Sequence, residues 1–505
     1  MCSDDRSNRA DYFRDRAKAA GLRLSEGESQ SLFGLAAWMS DGLAGPTRAA
    51  PDDAVLDLDI AELGARLRDG RLTSVALIEA TLQRIAERDS SYLAFYAVTG
   101  DQARLDAHKA DAELAEGQDR GPLHGIPVGI KDMIDVAGLA TTANAPGRRE
   151  AIADADAEVV RRLRGAGAVI IGKLATYEWG TVGPDKRGLF PPAKNPWNLE
   201  HITGGSSSGC AVTVAGGLLR TTIGTDTGGS VRGPAFYCGV VGFKPTFGSV
   251  PKDGALTMSP SMDHVGPMSR TVAEAALTFD VIAGKNDDGA ATRLLGQPIG
   301  GLRIGYARNW FANDPQVMPA VVAAMDAAVS KLSELGATIS EIDLPDYPSV
   351  EIAAAAILHK ESFDFHAEEL REHPEAYGRR AFLSLAGGFA IDDRELAAAR
   401  QIGREFTLGV NRTLDAHDVI ITVGALTTAL EAAPFEKEAV WTPMRTIGFN
   451  VSGHPVLAMP IGFHEGLPIG MQIIGRHHDE ARIIQVGHAF EQATDFSLRR
   501  PPIPS

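Results

Sequence analysis

Twelve of the 48 residues from His201 to Gly248 are glycine, and Asp226 is the only acid among them. Glycine at that density normally leaves a chain without a core, since it has no side chain to bury and the most backbone freedom to lose. Here Val, Ile, Leu and Phe are interleaved with it. The segment therefore reads as backbone packed very closely, or as backbone N–H groups presented to a ligand. Either use needs a large, rigid body around it.

The flanking sequence supplies one. A short apolar strand is expected to end at Lys131. A helix around Val159–Leu163 precedes a buried strand over Gly167–Gly172. This helix-then-strand rhythm marks an α/β fold. It returns with a strand at Leu302–Tyr306, a helix at Pro319–Leu335 and a strand at Ala337–Ile342. Further strands are expected at Val419–Thr422, Val456–Met459 and Gly470–Ile474, and a helix at Glu480–Ala493. Upstream, Ile60, Leu63 and Leu67 give one helix. After the Gly70 turn, Ser74 can cap a second, which carries Val75, Ile78, Leu82 and Ile85.

Residues 1–50 read as a small helical extension. Ser25 and Glu28 have capping-box spacing. Leu32, Phe33, Leu35, Ala36, Met39 and Leu43 then recur at roughly helical intervals before Gly45-Pro46 ends the pattern. The main domain is expected to occupy 54–505.

Lys and Arg total 49 against 65 Asp and Glu, a net charge of −16. With no basic run, a nucleic-acid partner is not expected, because phosphate attraction needs clustered cations. Three cysteines, Cys2, Cys210 and Cys238, form no disulfide framework and read as a reducing, cytoplasmic setting. The N-terminus is charged throughout, unlike a signal peptide, and no apolar run reaches membrane-spanning length. No His/Cys/Asp cluster has ligand spacing near the glycine-rich segment. His477-His478-Asp479-Glu480 reads as a solvated turn, and neither a metal nor another cofactor is expected.

Four chemistries compete for the glycine-rich segment. Gly204-Gly205-Ser206-Ser207-Ser208-Gly209 has phosphate-loop glycines, but no Gly-Lys-[Ser/Thr] follows. Gly205-Ser206-Ser207-Ser208-Gly209 satisfies G-x-S-x-G, but that elbow needs a strand before it, and Asn198–Thr203 makes a poor one. Ser249-Val250-Pro251-Lys252 fits Ser-x-x-Lys by letter, with a proline inside and no partner motifs. The fourth reading takes Ser230 as nucleophile. The small residues Thr227-Gly228-Gly229 before it leave backbone N–H groups free for an oxyanion, with Ser206 as a relay and Lys131 as the terminal base. Spacing alone leaves all four open, since most serines in such loops merely bond the backbone and most lysines are solvated.

At these residues the sequence resembles the amidase signature family of Ser–cis-Ser–Lys amidohydrolases. The matching motifs begin with Gly125-Ile126-Pro127-Val128-Gly129-Ile130-Lys131-Asp132, Asn195-Pro196-Trp197-Asn198 and Gly204–Gly209. They continue with Gly224-x-Asp226-x-Gly228-x-Ser230-Val231-Arg232-x-Pro234-Ala235, Gly242–Thr246, Asp263–Pro267 and Gly466–Gln472. The resemblance runs in order over about residues 54–500. It implies a central mixed, twisted β-sheet flanked by helices. Ser230 would form an acyl-enzyme, Ser206 would follow a cis peptide bond, and Lys131 would be the base. Thr227, Gly228, Gly229 and Ser230 would donate to the oxyanion, while Ser207, Asp226 and Arg232 would brace the loop. Lys131 must be neutral to accept a proton, and burial would lower its pKa.

The implied reaction is hydrolysis of a small carboxamide to a carboxylate and ammonia or an amine. A urea or carbamoyl substrate is the main alternative, and a glutaminase component of an amidotransferase a further one. In those glutaminase components an Asp stands seven residues before the Asn of a late N-x-x-G-x-P motif. Here the Asn is Asn450 and that position is Pro443, which favours a stand-alone amidase. The tyrosine-rich segment of those components is also replaced, by Leu385–Gln401. Gly180 matches a position where backbone faces substrate, and Trp179 and Trp441 are candidate wall aromatics suited to an aryl or hydrophobic acyl group. Residues 10–50 resemble the short helical companion proteins of some family members. A homodimer acting on a small-molecule amide is the expected assembly.

Overall fold

The computed structural model describes residues 53–503, apart from 182, 286–288 and 439. The helical extension expected over 1–50 lies outside the described residues. One mixed sheet of eleven strands organises the rest. In chain order these are β1 (Phe95–Val98), β2 (Pro127–Lys131), β3 (Val169–Leu174), β4 (Thr221–Asp226), β5 (Val241–Lys244) and β6 (His264–Ser269). They continue with β7 (Arg303–Tyr306), β8 (Thr338–Glu341), β9 (Val419–Val423), β10 (Val456–His464) and β11 (Leu467–Ile474). Their spatial order is β1-β3-β2-β4-β6-β5-β10-β11-β9-β7-β8.

Both faces of the sheet are covered. In β3, Ile170 packs into one apolar cluster with Val128, Ile130 and Phe279, while Val169 and Ile171 pack into another with Ala211 and Val212. This is the period-two alternation of a strand buried on both sides. It explains why interior strands such as β3 and β9 read as nearly continuous apolar runs, whereas the edge strand β8 is mostly exposed. The helices Ser208–Ala215 and Arg232–Cys238 are buried at every residue. A helix buried all round needs neighbours at backbone distance. At Gly209, a Cβ would overlap the backbone of Ala94 and Ala175. The first expectation for the glycine-rich segment, close backbone packing, is what the fold uses here.

The expected elements appear with small shifts at their ends. The N-cap of the second helix is Thr73, whose side chain accepts from the Ala76 amide. Ser74 is instead the first helical residue, and its hydroxyl donates to the Gly125 carbonyl at 2.9 Å. The sequence reading did not define β1, β4, β5 and β6, or the helices Tyr347–Glu372, Arg379–Ala386 and Asp393–Ala416. The two longest of these pack on each other, and the first, Tyr347–Glu372, lies against the Gly228 turn through Leu358. No described helix is long and apolar enough to cross a membrane.

For the site, the decisive feature is that β2 and β4 are parallel neighbours, with Ile130 opposite Ile223. Their carboxyl ends therefore deliver Lys131 and Thr225-Asp226 to the same edge of the sheet, the place where open α/β sheets bind ligands.

Candidate active site

Lys131 closes β2 and is fully buried. Its Nζ lies 2.7 Å from Ser206 Oγ and 2.8 Å from Thr225 Oγ1. Among the described residues no carboxylate bonds it. Burial pushes its pKa down to about 7, against weak opposing fields from Cys210, Asp226 and Asp263. A neutral amine has two hydrogens and one lone pair. It can donate to Thr225 and accept from Ser206, the arrangement a base requires.

Ser206 follows a cis Gly205–Ser206 peptide bond. Gly205 cannot be replaced, because a Cβ would overlap the ring of Tyr177. Ser207 ties two loops together: its amide donates to the Ser230 carbonyl at 3.1 Å, and its hydroxyl to the Thr225 carbonyl at 3.0 Å. That engagement removes Ser207 as the nucleophile of a G-x-S-x-G elbow, and β-structure before it is limited to a single bridge at His201. The Ser-x-x-Lys reading fails too. Lys252 Nζ bonds the Pro260 carbonyl and stands over Phe247, while Ser249 turns toward His478 and Glu480.

Thr227, Gly228, Gly229 and Ser230 line a cleft of about 920 Å³ together with Gly180 and Trp441. Among the described residues, the amides of Thr227, Gly228 and Ser230 have no intramolecular partner. The Gly229 amide differs from the expectation, because it donates to Asp226 Oδ1 at 2.9 Å. Its role is to shape the turn, at φ +126°, so three free donors surround Ser230 rather than four.

Asp226 and Arg232 hold that turn. Both side chains are fully buried, with Arg232 Nη2 at 2.9 Å and Nε at 3.0 Å from the carboxylate. The same carboxylate accepts from the amides of Gly229 and Val231. Burial alone would raise its pKa, but the Arg232 charge and hydrogen bonds, with Asn450, hold it far below the usual carboxylate range. Asn450 donates to Asp226 at 2.7 Å and accepts from Arg232 at 2.6 Å. In the sequence Asn450 serves only as a landmark. Nothing local marks its role, since 224 residues separate it from Asp226.

The expected wall residues divide. Gly180 and Trp441 line the cleft. Trp179 does not: it is 4% exposed, at φ +53°, and packs against His366 and Tyr377 beneath the wall. Pro443 is absent from the lining, although Thr442 and Met444 belong to it. Among the described residues, no group of His, Cys, Asp and Glu is arranged to hold a metal. His477 instead bonds the Ser452 carbonyl.

The Amidase family profile matches residues 76–484. A glutamyl-tRNA(Gln) amidotransferase subunit from Roseiflexus sp. (strain RS-1) is 35% identical over 482 residues, covering 88% of this chain and 98% of that one. Among solved structures, the peptide amidase of Stenotrophomonas maltophilia is similar, with 30% identity and a TM-score of 0.77, over 90% of this chain and 100% of that one. The corresponding glutamyl-tRNA(Gln) amidotransferase subunit from Thermotoga maritima matches with 27% identity and a TM-score of 0.71, over 90% of this chain and 100% of that one.

The Asp226–Arg232 pair makes a direct prediction. Arg232→Met leaves a buried carboxylate without its cation and should cost about 3–5 kcal/mol of stability. Asn450→Ala removes hydrogen bonds only and should cost less, about 1–3 kcal/mol. The double variant Arg232→Met/Asp226→Asn should recover part of the first loss. Denaturant unfolding of the three proteins checks the ranking.

Proposed function

The chain belongs to the amidase signature family of C–N amide hydrolases, and from that premise we propose that it is a stand-alone amidase acting on small carboxamides. The reading rests on one observation above all. A buried lysine without a carboxylate partner meets the Ser206 hydroxyl at 2.7 Å, and the carbonyl of Ser230 is tied to the adjoining Ser207 amide.

Each step follows from these groups. Ser230 Oγ attacks the amide carbonyl, and its proton passes through the Ser206 hydroxyl to the lone pair of Lys131 Nζ. The carbonyl oxygen becomes an oxyanion held by the free amides of Thr227, Gly228 and Ser230. As the tetrahedral intermediate collapses, the C–N bond breaks and the leaving nitrogen takes the proton back along the same relay. Water then attacks the acyl-enzyme by the reverse path, giving the carboxylate and free Ser230. Ser207, Asp226, Arg232 and Asn450 keep the two loops in register and touch no reacting atom.

A second reading has a specific observation in its favour, since the Roseiflexus relative is part of an amidotransferase. A glutaminase must hold the amino and carboxylate groups of glutamine. Among the described residues, the cleft lining includes no lysine or arginine for the carboxylate. The position of the amino-binding Asp is Pro443, whose carbonyl accepts from the Leu426 amide. These features favour the stand-alone reading.

Three measurements test it. A fluorophosphonate should label Ser230, as read by peptide mass spectrometry, and Ser230→Ala should abolish turnover with the fold intact; a label on Ser206 or Ser207 would reverse the assignment. The value of kcat/KM should fall about tenfold per pH unit below about 7, because Lys131 is then protonated and cannot accept the serine proton. Lys131→Arg should lose several orders of magnitude, since a guanidinium stays charged at any workable pH; near-native rates would move the base elsewhere. Free glutamine should be a poor substrate beside simple aliphatic and aryl amides, and a best kcat/KM for glutamine would favour the amidotransferase reading.

A further inference from the structure

Among the described residues, the cleft holding Ser230 has one formally charged side chain on its lining, Glu351. The other lining groups are glycines, hydroxyls, apolar and aromatic side chains, and His359. His359 Nδ1 lies 2.9 Å from the Ser384 carbonyl, so that nitrogen carries a proton and Nε2 is the ring's other polar atom. The wall is built from one stripe of the Tyr347–Glu372 helix, where Tyr347, Glu351, Ala355 and Leu358 recur at the spacing that puts side chains on one face.

Glu351 makes no ion pair among the described residues. Its hydrogen-bond partner is the indole Nε1 of Trp441, at 3.0 Å. Trp441 is 58% exposed, which places this pair at the mouth of the cleft. An indole carries no charge and fills one of about four acceptor sites on a carboxylate. The negative charge is therefore oriented but not neutralised.

The same helix gives the depth. Leu358 reaches to 3.7 Å from the position of a Cβ on Gly228, in the oxyanion turn. Glu351 precedes Leu358 by two turns, about 10 Å along the helix axis. Between them the wall is apolar, formed by Ala355 and Leu358, with Met444 and Ile447 also on the lining.

We propose that Glu351 is a specificity-determining residue. It selects amides whose acyl chain carries a cationic donor, an ammonium or guanidinium, at the end of an apolar spacer of about 10 Å or less. This rests on the reading that the Ser230 cleft binds the amide. The carboxylate supplies a charge-assisted hydrogen bond to the cation at the mouth, while the apolar wall takes the methylenes. An acyl chain ending in a carboxylate meets a like charge with no lysine or arginine to offset it.

The test compares three amides of nearly equal length: hexanamide, 6-aminohexanamide and adipic acid monoamide. The wild-type enzyme should prefer 6-aminohexanamide over hexanamide by about tenfold or more in kcat/KM, the scale of a hydrogen bond to a charged group. The anionic amide should be the poorest. Glu351→Gln should bring the ratio of kcat/KM for 6-aminohexanamide over hexanamide to within about twofold of one, and Glu351→Lys should shift the preference toward the anionic amide. Should either variant fold poorly, salt dependence of the wild type decides. KM for 6-aminohexanamide should rise with ionic strength while that for hexanamide stays flat. Turnover of hexanamide with no cationic preference, or a preference that survives Glu351→Gln, overturns the Glu351 assignment alone. Turnover of none of the three, with Ser230 unlabelled by a fluorophosphonate, overturns the amidase reading and the assignment with it.

Discussion

The buried pair of Asp226 and Arg232 is the interaction on which the site depends. Asp226 ends a central strand, and its carboxylate collects the amides of Gly229 and Val231 with the Arg232 side chain. Taking two charges out of water is expensive, and it is repaid only when hydrogen bonds satisfy the remaining donors and acceptors. Here they do. Arg232 donates onward to the Thr446 carbonyl at 2.8 Å and to Asn450 at 2.6 Å. The geometry of three free amides around Ser230 thus follows from an ion pair that never contacts substrate.

Lys131, the proposed base, obeys the opposite logic. Among the described residues three lysines are almost wholly buried, and their partners separate them. Lys173 lies 2.8 Å from the Asp132 carboxylate, which opposes the lowering of its pKa by burial. Lys244 is encircled by the carbonyls of Pro245 and His454 and by His264, and burial with the nearby Arg232 charge drives its pKa well down. Lys131 has only hydroxyls within reach, and burial brings it to about 7. Adjacent residues therefore have divided roles. Asp132 satisfies Lys173 and the Thr142 hydroxyl. Lys131 is left without a counter-charge and able to exchange a proton near neutral pH.

The close-packed loop at the floor of the cleft is legible in the sequence because glycine leaves a visible trace. Close approach at Gly205 and Gly209 cannot be met by another residue, so the loop announces itself in composition. Buried central strands announce themselves as apolar runs, which is why β2, β3, β9, β10 and β11 were found within a few residues. Other features left no such mark. β6 reads His264-Val-Gly-Pro-Met-Ser269, whose polar and small residues look like loop until Thr221 and Thr278 are seen to satisfy the buried Ser269 and Thr221 hydroxyls. Trp179 is a candidate wall aromatic by sequence, with the core as its alternative, and its backbone turn at φ +53° directs the ring beneath the wall. Asn450 meets Asp226 across 224 residues of sequence and Glu351 meets Trp441 across 90, and periodicity carries no information at that range.

The two halves of the cleft are therefore built differently, and one short segment joins them. The floor is glycine-rich and braced by buried hydrogen bonds. The wall is helix and loop with ordinary side chains. Thr446 and Ile447 line the cleft. Thr446 also donates its hydroxyl to the Gly228 carbonyl at 2.7 Å, and its own carbonyl accepts from Arg232. Four residues on, Asn450 closes the bonds around Asp226. A displacement of this segment by an ill-fitting acyl group would disturb the Gly228 peptide and Arg232 together. Packed interiors resist such shifts, because bonds that are all satisfied in one arrangement are not all satisfied in a neighbouring one. An acyl group that leaves the 446–450 segment in place keeps the oxyanion amides aimed. In the proposed mechanism the wall therefore bears not only on which acyl group fits but also on whether the floor keeps its shape.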